Sequence, residues 1–385
     1  MAVMRLMRSR SKMRCGRLIT SLAGLGFSLG GAGALSAESP AVQIASNGEL
    51  HYAQDGSGNR IPDFSNCGYD GANREIPTVP VQVLVEPGDG DDTATIQAAI
   101  DHVAALPIGE DGFRGDVRLA PGEFQIAGQI RIRASGIVVQ GSGADPPGTT
   151  LLATGVDRRA LVSMLGADGP RLEAARAATS RFVPVGASKL TLHSTADLAV
   201  GDAVVITRSS SQEWIDLLDC RELYVGWKPG SRDIQWERTI TDITGSEITL
   251  DAPLTCSIDP KYATLTLQRI SWPGRLQHAG IEDLQLVSSY ARNHPADEDH
   301  AWFGIRIDRA KNAWARRIVC QHFAGGAVLL GRNAHSVTIE DCISVDPISE
   351  LGGYRRHTYF TLGQLGLFNR CWSEQGIHDF SVGHC

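Results

Sequence analysis

The sequence predicts an all-β chain wound as a parallel β-helix, with an α-helix over its N-terminal end and a small antiparallel β insertion in the middle. Three observations carry this. Strands of three or four residues alternate with turn residues from 117 onward. Segments that align by eye recur every 20–35 residues in the C-terminal third, the period of a coiled repeat. One amphipathic helical stretch stands immediately before the first short strands. The 42 glycines among 385 residues suit many tight turns, and 42% hydrophobic with 21% charged residues is a globular composition.

In chain order, residues 1–37 carry Arg5, Arg8, Arg10, Lys12, Arg14 and Arg17, no acid, and an apolar stretch from Leu18 to Leu35 ending in small residues. That order of features predicts a secretory signal peptide and a secreted or periplasmic protein. Its removal takes the formal charge from −7 to −13 and leaves no apolar run long enough for a membrane span. An acidic chain disfavours nucleic-acid binding, which wants a basic face. Seven cysteines remain, without a CxxC pair or a metal-ligand spacing, and buried packing is their expected fate.

Residues 38–169 form the next unit, an arm followed by a helix and the first coils. In the helix, predicted over Thr93–Leu106, Ile96, Ala99, Ile100 and Val103 share one face, and Asp91 and Asp92 favour its positive end. The helix would cover an open edge of unpaired strands. Short strands follow at Val117–Leu119, Phe124–Ile126, Ile130–Ile132, Ile137–Gln140 and Thr150–Leu152. Residues 170–275 break the rhythm with longer alternating runs at Phe182–Val185, Lys189–His193, Ala203–Arg208 and Glu247–Leu250, read as the insertion.

Residues 276–385 resume the coils. Ile305-Arg306-Ile307-Asp308, Val328-Leu329-Leu330-Gly331, Phe360-Thr361-Leu362-Gly363 and Phe380-Ser381-Val382-Gly383 share an apolar–x–apolar–turn pattern, so Ile307, Leu330, Leu362 and Val382 should stack inward. A second set, Leu284, Ile318, Cys342 and Cys371, each follows a charged residue and should stack likewise.

The stretch Gly88-Asp89-Gly90-Asp91-Asp92-Thr93-Ala94-Thr95-Ile96-Gln97-Ala98-Ala99-Ile100-Asp101, with Pro121-Gly122-Glu123-Phe124 and Gln140-Gly141-Ser142-Gly143, resembles the capping helix and first coil of the pectate lyase superfamily. The resemblance implies a right-handed β-helix that acts on polysaccharide. Residues 226–234 and 297–302 resemble a bacterial and fungal branch of it whose members are longer, so an uncapped last coil and self-association through it are expected. The W-I-D-H and R-x-P-x-x-R motifs of calcium-dependent pectate lyases are missing, as are the N-T-D, G-H-G and R-I-K motifs of polygalacturonase-like hydrolases. The resemblance therefore transfers no catalytic residue.

Aligning the four repeats places Asp299, His300, His322, Arg355, Arg356, His378 and Asp379 near the start of one sheet, in consecutive rungs spanning about 15 Å. A lyase acting on a uronic-acid glycan, the leading expectation, would use Arg355 or Arg356 to clamp the carboxylate and His300, His322 or His378 as base and acid. A glycoside hydrolase, the second, would pair Asp299 with Asp379. A non-catalytic glycan binder of the tailspike kind is the third. Trp227 and Trp302 are candidate sugar platforms, with packing the stronger alternative. Glu340 and Asp341 read as structural, and the acids 297–299 would be the place for a Ca²⁺ ion, without a motif to support one. Mature protein recovered from periplasm or medium should begin between Leu35 and Glu38 on N-terminal sequencing.

Overall fold

The computed structural model describes residues 41–178, 181–222 and 226–383. Residues 1–37, predicted as a signal peptide, and Cys385 lie outside the described residues.

The chain is a right-handed parallel β-helix. A full coil runs through Phe303–Asp308, then Ala310–Gln321, which bends between two faces, and returns through a short turn to Gly326–Leu330. Among the described residues, Ile130–Ile132, Ala160–Leu165, Phe303–Asp308, Gly326–Leu330, His357–Thr361 and His378–Val382 pair in parallel as one face. In register, Ile132, Met164, Ile307, Leu330, Thr361 and Val382 form one inward column. Stacking at about 4.8 Å removes the apolar surface of Ile132, Met164, Ile307 and Leu330 from water, whereas Val382, on the last described coil, is 77% exposed.

The helix Thr93–Ala104 sits on the first coils with Ile96, Ala99, Ile100 and Val103 buried, the four residues its periodicity singles out. Asp91 and Asp92 do more than favour its N-terminus. Asp91 Oδ1 accepts from the Thr93 and Ala127 amides at 3.0 Å each, and the Asp92 carboxylate accepts from Gly88 and Gln125, so the cap is stapled to the first coil.

The corners of the coil are single left-handed residues. His278, Asn312, Ser336 and Leu365 form one column, and Asp283, Arg317, Asp341 and Arg370 another five residues on, every one with φ between 49° and 59°. Left-handed backbone costs a residue with a Cβ roughly 1–2 kcal/mol. The second column is also a ladder of alternating charge. Arg317 Nη2 donates to Asp283 Oδ2 at 2.6 Å, and Arg370 Nη2 donates to Asp341 Oδ2 at 2.8 Å. Arg370 also holds the Asp341 carboxyl below its ordinary range. Just inside it, Leu284, Ile318, Cys342 and Cys371 lie in register, as their spacing indicates.

One repeat sits differently from its sequence alignment. Val328 pairs with Tyr359 and Leu330 with Thr361, so Thr361 takes the inward place expected for Leu362. A slip of one residue exchanges the two faces of a strand. It is decided by Tyr359, fully buried, whose hydroxyl donates to Cys342 O at 2.8 Å and Trp372 O at 3.1 Å, while Phe360 faces outward against the His357 ring.

The insertion is larger than a hairpin. Its antiparallel strands run from Arg171–Leu172 to Leu265–Ser271 around a core of its own that includes Leu190, Val204, Ile206, Ile248 and Leu267. Ile234–Thr244 and the short helix Gln212–Leu217 were not legible in the sequence, and Phe182–Val185 makes only one bridge, Val183 to Ile258. A buried ion pair docks the insertion on the coils: Arg275 Nη1 lies 2.5 Å from Glu237 Oε1, and Arg275 Nη2 donates to Asn333 O at 3.1 Å. His335 Nε2, 3.2 Å from Glu237 O, completes it. Burial pushes that imidazole's pKa down to about 3, so the ring is neutral.

The exposed corner residue Gln375, at φ 60°, tests the cost of the bends. Gln375→Gly should raise unfolding free energy by about 0.5–1 kcal/mol and Gln375→Val should lower it, read from urea midpoints.

Candidate functional site

The turns that lead into the six-strand face, residues 289–302, 322–325, 346–356 and 374–377, lie on one edge of the helix, and the residues singled out by the rung alignment sit on or next to them. Most are bonded to one another. His300 is 1% exposed, with Nδ1 2.8 Å from Ser288 Oγ and Nε2 3.1 Å from both Asp297 O and Ile348 O. Two carbonyls at Nε2 require the proton there, so Ser288 Oγ donates to Nδ1. Both ring nitrogens are therefore occupied away from solvent. His322 is half-buried at φ 71°, edge-on to Tyr290 at 5.0 Å, with its buried Nδ1 left without a hydrogen-bond partner among the described residues, and burial lowers its pKa.

Arg355 grips Glu298 with two donors, one at 2.9 Å between Nη2 and Oε2 and one between Nε and Oε1. The contact holds the Glu298 carboxyl below its ordinary range, and Arg158 adds a 3.6 Å approach from the same corner. Arg158 also reaches the exposed Asp299, at 3.4 Å. Arg356 donates to Ser349 Oγ and Ser349 O at 3.2 and 3.0 Å. Neither arginine is a free clamp for a carboxylate. Trp302 donates Nε1–H to Glu298 O, with Arg158 and Arg355 5.2 and 5.8 Å from its ring centre. Trp227 lies instead in the insertion, against Trp214 at 5.6 Å and Arg232 at 5.2 Å. Both rings are packed by neighbours. Asp297 accepts from the Ala291 and Asp299 amides, so each of the three acids at 297–299 has a partner within the protein. His378 and Asp379 remain exposed; the His378 ring lies 4.4 Å from His357, and Asp379 Oδ1 accepts from Ser373 Oγ at 2.6 Å.

A second group of polar side chains, only partly engaged with one another, converges elsewhere. At the opposite edge of the six-strand face, the arm, the insertion and the first left-handed corner enclose a cleft of about 260 Å³. The arm contributes Asn66, Asp70 and Asn73, the insertion Thr239, Thr241 and Asp251, and the corner Lys311 and Asn312. Asn312, 9% exposed, accepts from the Asp70 amide through Oδ1 at 3.2 Å; its Nδ2 has no partner among the described residues. Lys311 has none within hydrogen-bonding distance either, though it lies in the field of Glu237 and His335. Asp251 Oδ1 accepts from the Thr239 amide at 2.9 Å, and Asp70 Oδ2 is paired with the exposed Arg74 at 3.1 Å. A neighbouring cleft of about 360 Å³ shares Leu365 and is lined by Phe64, 60% exposed, with Trp236 and Pro253. Sequence reasoning missed this place because its walls come from segments some 180 and 240 residues apart, none carrying a motif.

No group of three or more His, Cys, Asp or Glu able to hold a metal ion occurs among the described residues, and no helix there is long and apolar enough to cross a membrane.

No family model and no curated protein matches the chain, so the pectate lyase superfamily stays a resemblance. Among solved structures, the chain is similar to the tailspike gp61 of Pseudomonas phage phi297, with 12% identity and a TM-score of 0.33 over 76% of this chain and 43% of that one. It is similar to the Gp54 tailspike of Acinetobacter baumannii bacteriophage AP22, solved in complex with A. baumannii capsular saccharide, with 10% identity and a TM-score of 0.33 over 73% and 48%. The tailspike gp49 of Pseudomonas phage LKA1 gives 16% identity and 0.31 over 73% and 44%. The chain spans less than half the length of each, and TM-scores of this size carry no argument about chemistry.

The bonding of His300 predicts a structural role. His300→Ala should lower unfolding free energy by about 3 kcal/mol, measured in denaturant, because it empties a packed site and strands buried acceptors.

Proposed function

We propose that this protein is an exported, carbohydrate-active β-helix protein that binds a neutral polysaccharide in the cleft between arm, insertion and coils and hydrolyses it there. The observation that carries the reading is the nine-tenths-buried Asn312, whose unpartnered amide donor faces a cleft with a carboxylate on either wall. Sugar hydroxyls both donate and accept, and a site offering Asn312 and Lys311 as donors beside Asp70 and Asp251 as acceptors suits them. Glycoside hydrolysis needs two carboxyl groups, one to protonate the leaving oxygen and one to activate water or attack the sugar. Asp70 and Asp251, which both line the cleft, are the pair assigned to that chemistry. The exposed ring of Phe64 in the adjoining cleft offers an apolar face for the next sugar of a polymer.

Lyase chemistry ranks lower on electrostatics. It needs a cation beside the uronate carboxylate, whereas Arg355 and Arg356 are held by Glu298 and Ser349, and the cleft sets two acids against one lysine. The basic, apolar and small-residue order of residues 1–37 supports export.

The test is a panel of pectin, alginate, xylan, β-glucan, dextran and chitin, followed by reducing-end release and by ultraviolet absorbance of unsaturated sugars. Reducing ends should appear without absorbance. Asp251→Asn and Asp70→Asn should each lower the rate about 10²–10⁴-fold with an unchanged far-ultraviolet spectrum, while His378→Ala leaves it intact. Unsaturated product would establish the lyase reading instead, and retention of glycan without product would establish a binder.

A further inference from the structure

The column just inside the second corner, Leu284, Ile318, Cys342 and Cys371, ends in two cysteines. Cys342 and Cys371 occupy the same inward position of consecutive coils, one residue before the registered pair Ile343 and Trp372, and the Trp372 amide donates to Cys342 O at 2.8 Å. Adjacent parallel strands run about 4.8 Å apart. That separation lies inside the window of roughly 4.4–6.8 Å between the α-carbons of bonded cysteines. Each thiol donates to carbonyls of its own corner, Cys342 Sγ to Glu340 O at 3.2 Å and Cys371 Sγ to Ile339 O at 3.4 Å, so neither is committed to a strong partner. Cys320, also buried nearby, is paired across strands with Ser344 and so is not opposite Cys342.

The members of the pair differ in a useful way. Cys342 is 1% exposed, and burial raises its thiol pKa well above the ordinary value. Cys371 is half-buried beside the exposed Arg370 and Trp372, and the Cys342 thiol at its side lowers its pKa. An accessible thiol of lowered pKa next to a resolving partner is the arrangement that exchanges readily with disulfides.

We propose that Cys342 and Cys371 are a reversible redox pair that closes into a disulfide joining two consecutive coils, with Cys371 as the attacking thiol and Cys342 as the resolving one. The oxidant is a small-molecule disulfide. The Cys371 thiolate attacks one of its sulfurs, expelling one thiolate and leaving a mixed disulfide on Cys371. Cys342 then loses its proton and attacks the Cys371 sulfur, expelling the second thiolate. Two protein thiols are oxidised and one external disulfide is reduced to two thiols. The bond joins positions 29 residues apart and so spans the whole intervening coil, adding a covalent link to the backbone pairing and the polar ladder of that corner. The inference is independent of the glycan cleft.

Native protein incubated with glutathione disulfide, then alkylated and mapped by mass spectrometry, provides the test. The expected product has lost two hydrogens, contains a peptide pair linked through Cys342 and Cys371, leaves Cys320 free, and reverts with dithiothreitol. Cys371→Ser should abolish both the linkage and any glutathione adduct at this corner. Cys342→Ala, or Cys342→Ser if the smaller side chain impairs folding, should instead accumulate a stable glutathione adduct on Cys371. Wild-type protein in which both cysteines remain alkylatable after the incubation, or in which Cys320 forms the link, would overturn the proposal.

Discussion

The structure depends on register between parallel coils. Once Ile307 faces Leu330, every other residue of those coils is assigned to the inside, the outside or a corner, because a strand offers two faces and the hydrogen bonds fix its phase. The corners follow from the same phase. They turn within one residue, so they need left-handed backbone, and His278, Asn312, Ser336 and Leu365 supply it at equivalent points of four coils. None is glycine. The chain accepts roughly 1–2 kcal/mol of strain at each such residue, which the apolar columns on either side offset.

This periodicity explains why the obvious polar residues are poor candidates for chemistry. A side chain at a corner has an equivalent above and below it, at about 4.8 Å, and the sequence alternates their charges. Asp283, Arg317, Asp341 and Arg370 neutralise one another, and Glu298 and Arg355 do the same on the next edge. Partly exposed pairs of this kind contribute little stability each, yet they remove the unpaired charge that a substrate would need. Donors without a partner, Lys311 and the Asn312 side-chain amide nitrogen, also appear where the repeat is interrupted by chain from elsewhere. The arm lays Asp70 over the corner at Asn312, and the insertion hangs Asp251 opposite it, so the cleft exists only where three non-repeating relations meet.

The insertion can form that wall because it is fixed. Arg275 and Glu237 are both nearly buried, and removing either would leave a charge without its partner in a dry contact, an expensive state. Arg238 adds donations to Ala252 O and Pro253 O from the same strand. Asp251 is the residue immediately before this anchored segment, which sets its carboxylate over the coils.

The sequence by itself determined the coil. Apolar residues two apart, followed by a turn residue and repeated at 20–35 residues, leave few ways to bury that surface, and the start and buried face of the capping helix could be read from its own periodicity, though it ends at Ala104, two residues before the expected Leu106. It also determined the stack of Leu284, Ile318, Cys342 and Cys371, since each follows the charged residue of a corner. The offset at Tyr359 was not legible, because Tyr-Phe-Thr-Leu satisfies the pattern in either phase and only the acceptors at Cys342 and Trp372 choose between them. The fate of the polar residues was decided by the tertiary structure alone. Whether His300 or Asn312 keeps a free donor depends on which carbonyls loops of unequal length bring to it, and sequence spacing holds no record of contacts made across the chain.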